Sequence, residues 1–180
     1  MTPPLPGPDF SGYRIVITAA GRDFGRTLAI EFACRGATVF ISARNIQHAE
    51  RTRDEIRDLG FDHVYAFGCD LTDPASIRAF ADDVSALTDR IDVLLNNGAS
   101  YLDGDLLSVS DDDIVATIAS AATGSILTTK HFLPLLLNSD KPDLVTMISA
   151  CGVPGHERSQ AHEAFYAGEI GAGRFHRHRV

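Results

Sequence analysis

The sequence has 180 residues and a formal net charge of −8 at pH 7, which argues against nucleic acid or an anionic membrane as a partner because an acidic surface repels phosphate. Apolar residues make up 44% of the chain, as expected for one globular domain with a hydrophobic core. No stretch reaches the roughly 18 apolar residues of a membrane span, and the first residues lack the basic and apolar segments of a signal peptide. The three cysteines have no metal-ligand spacing and are predicted to be reduced thiols, so we expect a cytoplasmic protein without a bound metal.

The N-terminal part of the chain predicts a disordered leader, then a buried strand and a helix. Four of the eight prolines lie at its beginning, so residues 1–11 are expected to be disordered. Residues 13–18 form an apolar run without helical period, which is typical of a strand buried on both faces. After it, Phe24, Leu28 and Phe32 recur every four residues, which predicts a helix with one apolar face.

The rest of the chain alternates between strands and helices. Apolar runs predict four further strands, at residues 37–42, 63–67, 91–95 and 144–149. Helical periodicity predicts helices at residues 46–59, 74–87 and 110–137, the last one bent near Pro134, and a further helical stretch from Gln160. Asp73 before Pro74, and Ser110 three residues before Asp113, are typical of helix N-termini. This alternation predicts an α/β fold with a doubly wound parallel sheet, in which ligands bind beyond the carboxyl ends of the strands.

Several polar or glycine-containing segments follow the predicted strands and should meet at that end of the sheet. The first, residues 15–25, reads IVITAAGRDFG and turns directly from strand to helix, where free backbone N–H groups attract an anion. It resembles the T-G-x-x-x-G-x-G turn of the short-chain dehydrogenase/reductase family, which consists of NAD(P)-dependent enzymes with a Rossmann-like fold. Thr18 and Gly25 match this pattern, whereas Ala19 and Asp23 replace the family's other two glycines.

The resemblance implies that this turn holds the cofactor through Thr18, Gly21, Arg22, Asp23, Phe24 and Gly25. Asp23 is unfavourable there, because as an N-cap it would occupy the N–H groups itself and its charge would oppose the phosphates. We expect either that Arg22 compensates for this charge or that the cofactor binds weakly.

Two further segments resemble cofactor-binding parts of the family. Asp70-Leu71 corresponds to an aspartate after the third strand, which in the family accepts a hydrogen bond from the adenine amino group. The segment Asn96-Asn97-Gly98-Ala99 resembles the family's N-N-A-G with its last two residues exchanged, and the resemblance places Asn96 and Gly98 beside the adenosine ribose. The alternatives are a turn aspartate before a capped helix and an ordinary Asn-Gly turn.

The end of the second strand predicts NADP rather than NAD as the cofactor. In dinucleotide folds an acidic residue at this point binds the ribose 2′-hydroxyl of NAD, whereas an arginine accommodates the 2′-phosphate of NADP. Here the strand ends in Ser42-Ala43-Arg44-Asn45 without a carboxylate, and Arg22 lies in the first turn. The alternative is that either arginine is only a solvated surface charge.

The family's catalytic residues are partly present. The family uses an asparagine, a serine that binds the substrate oxygen, a tyrosine that transfers the proton, and a lysine four residues after the tyrosine. Ser149 and Tyr166 match the serine and the tyrosine, although Ala150 also aligns with the serine. Ala121 stands at the asparagine position and Ile170 at the lysine position, so we expect weak turnover.

By resemblance, the chain is predicted to be an NADP-dependent oxidoreductase that moves hydride between the cofactor and a small carbonyl or alcohol substrate. The cofactor-binding domain is expected at residues 12–168, followed by a divergent basic tail at 169–180, with the family's last strands missing. A catalytically inactive dinucleotide-binding module and a non-functional truncated fragment are the alternatives. The strand at 144–149 would be an exposed edge, and self-association through the helix at 110–137 is expected.

Overall fold

The computed structural model describes residues 7–100 and 104–149. Its strands are β1 (Arg14–Ile17), β2 (Thr38–Ala43), β3 (Val64–Gly68), β4 (Val93–Asn96) and β5 (Asp143–Thr146). Its helices are α1 (Asp23–Cys34), α2 (Ile46–Asp58), α3 (Pro74–Ser85), α4 (Asp111–Ile118) and α5 (Gly124–Leu137), with a π-helical segment at Ala119–Thr123 between α4 and α5. All the strand pairs are parallel, in the order β3-β2-β1-β4-β5, so the predicted α/β fold with a doubly wound sheet is confirmed.

Successive residues of β1 are buried in opposite layers, which explains why its sequence is apolar throughout. Ile15 and Ile17 are fully buried in the layer that contains α1 and α2. Val16 is fully buried in the other layer, with Phe80 of α3 and Phe132 of α5. Because helices cover both faces of the sheet at β1, a ligand can reach this strand only at its end.

The direction of winding reverses between β1 and β4. The chain runs outward from β1 through β2 to β3, and then returns to place β4 on the other side of β1. The loops that follow β1 and β4 therefore lead away from each other and leave a crevice at the carboxyl ends of these strands. The residues singled out after β1, β2, β3 and β4 all lie at this end of the sheet.

The sequence predicts one helix at residues 110–137, whereas the structure has two α-helices joined by a π-helical segment. Helix α5 continues through Pro134 to Leu137, and the bend near Pro134 stays a prediction, whereas a π-helical segment that was not predicted lies at Ala119–Thr123. This segment packs beside the loop after β3, since a Cβ atom at Gly124 would lie 2.7 Å from the carbonyl oxygen of Leu71. The fifth strand also ends earlier than predicted, at Thr146 rather than at residue 149.

The predicted N-terminal caps are confirmed. Asp73 accepts a hydrogen bond from the N–H of Ala75 before α3, with Pro74 as the first helical residue. Ser110 accepts one from the N–H of Asp113 before α4. Such caps are local in sequence, which is why residue type and spacing were sufficient to find them.

Asp92 joins β1, β4 and β5 at the end of the sheet opposite the crevice. Its carboxylate accepts hydrogen bonds from the N–H of Arg14 (2.8 Å), the hydroxyl of Ser139 (2.6 Å) and the Nε of Arg90 (3.3 Å). Burial raises the pKa of this carboxyl, but these hydrogen bonds and the charge of Arg90 outweigh it, so the pKa is lowered overall. The ionised form therefore contributes to the stability of the fold.

Replacing Asp92 by asparagine should lower the free energy of unfolding at pH 7 by about 1–3 kcal/mol, since it removes charge-assisted hydrogen bonds to buried groups. Because the folded-state pKa is lowered, the contribution is complete above the unfolded-state value near 4 and is lost as the pH falls through the folded-state value. Urea unfolding at pH 7 and near pH 3 measures both effects, and the difference between variant and wild type should shrink at the lower pH. Asp89→Asn is the control, because the Asp89 side chain is 86% exposed and its pair with Arg14 is a surface one. An equal loss of stability in both variants would contradict this assignment.

Candidate functional site

Thr18 connects the ends of β1 and β4 through its side chain. The residue is buried, and its hydroxyl oxygen accepts hydrogen bonds from the N–H groups of Asn97 (3.0 Å) and Gly98 (3.1 Å). In return, the side-chain amide of Asn97 donates to the carbonyl oxygens of Thr18 (3.2 Å) and Ala19 (3.3 Å). These four hydrogen bonds fix the turn after β1 against the segment after β4. The distance between the two segments that border the crevice is therefore constant.

Asn96 lies behind the crevice rather than in it. The residue is buried, and its side-chain amide donates to the hydroxyl of Thr129 (3.1 Å) and the carbonyl oxygen of Ser125 (3.5 Å), both on α5. Its role in this geometry is to fasten β4 to α5. Asn96 therefore stabilises the strand that borders the crevice without lining the cavity.

The two positions at which the resemblance expects glycine are both left-handed here. Ala19 has a φ of 53° and Asp23 a φ of 50°, although neither is glycine. This region costs most L-residues roughly 1–2 kcal/mol, and aspartate tolerates it better than most. The backbone therefore follows the same path as a glycine-containing turn, and Ala19 and Asp23 are strained because they adopt a conformation that favours glycine.

Helix α1 begins without a side-chain cap. Arg22 is the N-cap in extended conformation and its side chain makes no capping hydrogen bond, so the expected capping by Asp23 is wrong. The Asp23 side chain instead points outward, 83% exposed, and pairs with the Nε of Arg22 at 3.4 Å. The left-handed backbone at Asp23 turns this side chain away from the helix axis, which leaves the first N–H groups of α1 for an anion.

Three glycines bring backbone segments into direct contact around the turn. A Cβ atom at Gly21 would lie 2.6 Å from the Cβ of His48, and one at Gly25 would lie 2.6 Å from the carbonyl oxygen of Ala19. A Cβ atom at Gly98 would overlap the side chain of Leu71. No larger residue fits these three positions without moving its surroundings.

Replacing Gly25 by alanine should lower the free energy of unfolding by about 1–3 kcal/mol, because the added methyl group has to displace backbone atoms. It would lie 2.5 Å from the side-chain nitrogen of Asn97 and 2.9 Å from the Cα of Ala20. Gly68→Ala is the matched control, since its nearest neighbour would be the Cβ of Ile46 at 3.8 Å. Chemical denaturation of both variants measures the difference, and equal stability would contradict the close packing of the turn.

The crevice encloses a cavity of about 600 Å³ at the carboxyl ends of the strands. Seven of the residues predicted for cofactor binding line it, namely Gly21, Arg22, Asp23, Arg44, Asp70, Leu71 and Gly98. The other four do not, since Thr18, Gly25 and Asn96 lie beneath the surface and Phe24 is 54% exposed outside the cavity. Nine lining residues were not predicted as binding residues: Ala19, Ala43, Asn45, His48, Cys69, Thr72, Ala99, Ser100 and Ser120.

Charged and polar groups from three strand ends face this cavity. One carboxylate oxygen of Asp70 accepts hydrogen bonds from the N–H (2.9 Å) and hydroxyl (2.7 Å) of Thr72. Burial raises the pKa of Asp70, but these bonds and the positive charge of Arg44 outweigh it and lower the pKa overall, so Asp70 is ionised at neutral pH. Burial, with a smaller contribution from the charge of Asp70, raises the pKa of the Cys69 thiol to about 12, so this cysteine is not a nucleophile.

The residues predicted for catalysis are not assembled by the part of the chain that the structure describes. Ser149 lies beyond the end of β5 and does not line the cavity, and Tyr166 falls outside the described residues. Ala121, at the family's asparagine position, is buried within the π-helical segment. Its neighbour Ser120 lines the cavity, accepts a hydrogen bond from the N–H of Ser100 (3.0 Å) and donates to the carbonyl oxygen of Thr117 (2.9 Å).

Residues 7–100 and 104–149 have the features of neither a metal site nor a membrane-spanning helix. In these ranges no group of three or more histidine, cysteine, aspartate or glutamate side chains is arranged to hold a metal ion. None of the helices described is both long and apolar enough to cross a bilayer. The cavity at the strand ends is therefore the feature on which a function can be argued.

The fold and the position of this cavity are those of the doubly wound α/β class, in which dinucleotides bind beyond the carboxyl ends of the strands. The family model described as "short chain dehydrogenase" matches residues 13–168, and the chain belongs to that family. Among curated relatives, mouse 17-beta-hydroxysteroid dehydrogenase 13 is 31% identical over 142 residues, which cover 79% of this chain and 46% of the relative. Human short-chain dehydrogenase/reductase 3 is 31% identical over 151 residues, which cover 82% of this chain and 50% of the relative.

Solved structures give the same family. A "putative short-chain dehydrogenase/reductase from Burkholderia xenovorans" superposes with a TM-score of 0.82 at 27% identity, covering 92% of this chain and 68% of that one. The complex of Pseudomonas aeruginosa RhlG with NADP has a TM-score of 0.85 at 23% identity, covering 97% of this chain and 68% of that one, and shows the shared fold. The chain spans about half the length, or less, of the curated relatives it matches.

Proposed function

We propose that this chain binds NADP in preference to NAD and uses it for hydride transfer with a small carbonyl or alcohol substrate. The observation that carries the proposal is the cavity at the ends of β1, β2 and β3, with Arg22 and Arg44 in its lining and no carboxylate at the end of β2. In a dinucleotide fold this is the position that distinguishes a ribose 2′-phosphate from a 2′-hydroxyl.

The described residues fit a dinucleotide at its adenosine and pyrophosphate end. The start of α1 has no side-chain cap, and the tight contacts at Gly21, Gly25 and Gly98 hold the turn after β1 against α2 and the segment after β4. One carboxylate oxygen of Asp70 is held by Thr72, and the other makes no hydrogen bond within the described ranges, so it is available to an adenine amino group. Bound NADPH supplies a hydride to a carbonyl carbon, or NADP accepts one from an alcohol carbon.

For the chemical step we propose that Ser149 binds the substrate oxygen and that Tyr166 transfers the proton. An unassisted tyrosine titrates near pH 10, so only about one in a thousand is ionised at pH 7. Ile170 stands where the family lysine would favour this ionisation, and we therefore expect turnover well below 1 per second. Replacing Tyr166 by phenylalanine should abolish any turnover that is present.

A second candidate is a dinucleotide-binding module without catalysis. The observation in its favour is Ala121, which is buried and brings no polar group to the place of the family's asparagine. Calorimetric titration with NADPH and NADH, together with NADPH oxidation against a panel of carbonyl compounds, separates the two candidates. Turnover lost in Tyr166→Phe supports the oxidoreductase, binding without turnover supports the module, and absence of binding would refute both.

We further propose that the protein self-associates through α4 and α5. Val115, Ile118 and Ile126 on these helices expose apolar side chains, with 66% of Val115 in contact with solvent. Sedimentation velocity over a range of concentrations should show a concentration-dependent dimer, which Val115→Lys and Ile126→Lys weaken because they place a charge in an apolar contact. A concentration-independent monomer would contradict this proposal, and Leu87→Lys, at a 53% exposed site on the segment after α3, is the control.

A further inference from the structure

His48 occupies a fixed place in the wall of the cavity between β2 and α2. The side chain of Asn45 caps α2 by accepting a hydrogen bond from the N–H of Gln47 (3.1 Å), and the carbonyl oxygen of Asn45 accepts one from the N–H of His48 (3.0 Å). His48 therefore lies in the first turn of α2, only four residues after Arg44, and lines the same cavity. The short connection between β2 and α2 fixes both side chains on one wall.

The first turn of the chain rests directly against His48. A Cβ atom at Gly21 would lie 2.6 Å from the Cβ of His48, 3.0 Å from its carbonyl carbon and 2.9 Å from the Cβ of Ala43. The His48 side chain thus starts where the turn after β1 meets the end of β2, which is the corner between Arg22 and Arg44. Its half-buried position leaves it open to the cavity.

The imidazole of His48 is not engaged elsewhere in the described part of the chain. Within residues 7–100 and 104–149 it makes no hydrogen bond or ion pair. The guanidinium of Arg44 likewise makes no hydrogen bond in these ranges, and acts on Asp70 only through its charge. Two groups that are able to donate hydrogen bonds therefore share one wall of the cavity without a partner in the described residues.

The charges around His48 nearly cancel. Arg22 and Asp23 lie on the turn after β1, Arg44 at the end of β2 and Asp70 after β3, so the two positive and two negative charges that line the cavity sum to zero. Of the other charged groups on α2, Arg51 is exposed one turn after His48, Glu55 pairs with Arg26 of α1, and Glu50 and Asp54 pair with Arg53. A proton on His48 therefore adds one positive charge to this wall.

We propose that His48 is a third contact to the ribose 2′-phosphate of NADP and makes the choice between NADP and NAD depend on pH. The proposal rests on the proposed function above and assigns a specificity-determining role to a residue outside the motif. Histidine is the side chain whose charge ordinarily changes between about pH 5 and 8. A phosphate monoester is mostly a dianion above about pH 6, so a protonated imidazole beside it forms a charge-assisted hydrogen bond that a neutral one forms more weakly.

The test is calorimetric titration of NADPH and NADH into wild type and His48→Gln at pH 6.5 and pH 8.5. At pH 6.5 the variant should bind NADPH about tenfold more weakly, at pH 8.5 the loss should be no more than about twofold, and NADH binding should not change. Titrations in two buffers of different ionisation enthalpy should also show that wild type takes up more protons on binding NADPH than His48→Gln does. His63→Gln is the matched control, because His63 is exposed before β3, at the opposite end of the sheet.

The possible results separate this inference from the function on which it rests. If wild type prefers NADPH but His48→Gln binds both nucleotides as wild type does at both pH values, the inference is overturned and the proposed function stands. Equal losses for NADH and NADPH would also overturn it, because His48 would then contact the part that the two nucleotides share. If wild type binds neither nucleotide, the proposed function itself fails. A loss confined to NADPH and to the lower pH supports the inference.

Discussion

Replacing Thr18 by valine should lower the free energy of unfolding by about 2–5 kcal/mol. Valine has nearly the same shape as threonine but leaves the N–H groups of Asn97 and Gly98 without the acceptor that Thr18 provides. Each buried donor left unsatisfied costs about 1–3 kcal/mol. Urea unfolding followed by circular dichroism measures the loss, and the denaturant dependence should be unchanged because the fold remains the same.

Two control variants make this test specific to the hydroxyl of Thr18. Thr18→Ser keeps the hydroxyl and should cost no more than about 1 kcal/mol. Thr128→Val makes the same substitution at a fully buried threonine whose hydroxyl has no hydrogen-bond partner in the described residues, and it should be neutral or stabilising. Similar losses in Thr18→Val and Thr128→Val would mean that the two bonds across the crevice do not stabilise the fold.

Replacing Arg44 by alanine should weaken NADPH binding by about ten- to a hundredfold and leave NADH binding nearly unchanged. A charge-assisted hydrogen bond to phosphate contributes roughly 1.5–3 kcal/mol, and each 1.4 kcal/mol corresponds to about a factor of ten in affinity. The Arg44 guanidinium is exposed to the cavity and makes no hydrogen bond within the described ranges, so its removal disturbs little else. Calorimetry with both nucleotides measures the effect.

Substitutions of other residues test whether the effect of Arg44→Ala comes from a contact with the 2′-phosphate. Arg22→Ala should weaken the binding of both NADPH and NADH, because Arg22 lies beside the start of α1 and pairs with Asp23. Asp23→Gly should strengthen the binding of both nucleotides, since it removes a negative charge and relieves the strain of the left-handed backbone at that position. Arg51→Ala, an exposed arginine on α2, is the control and should change neither affinity. Equal losses for NADH and NADPH in Arg44→Ala would show that Arg44 does not contact the 2′-phosphate.

Local sequence patterns were sufficient for most of the fold. The apolar run Ile15–Ile17 predicted the central strand, because a run without polar residues or helical period is typical of a strand that is covered on both faces. All three residues are buried in the structure. The caps at Asp73 and Ser110 were found because a capping side chain bonds to an N–H group two or three residues away. The order of motifs after the strands also predicted which residues would meet at the cavity, since parallel strands bring their carboxyl ends together.

The failures share one physical cause, which is that each depends on a distant part of the chain. Asp23 was expected to cap α1, but its backbone lies in the left-handed region, its carboxylate pairs with Arg22, and Asn97 from the segment after β4 holds the same turn at Ala19. The π-helical segment, which was not predicted, occurs where the helix packs against the loop after β3. Neither outcome can be read from neighbouring residues.

The sequence by itself determined the strand and helix types, their order and the family, because side-chain burial, caps and the glycine-containing turn are encoded within short segments. Only the tertiary structure decided that Asn96 supports the crevice from below while Gly98 lines it, and that His48 lies against Gly21 in the cavity wall. Residues 21 and 48 are far apart in sequence, and what brings them together is the packing of α2 beside the turn after β1. Contacts of this kind arise from the way elements pack in three dimensions, and no local pattern of residue types specifies them.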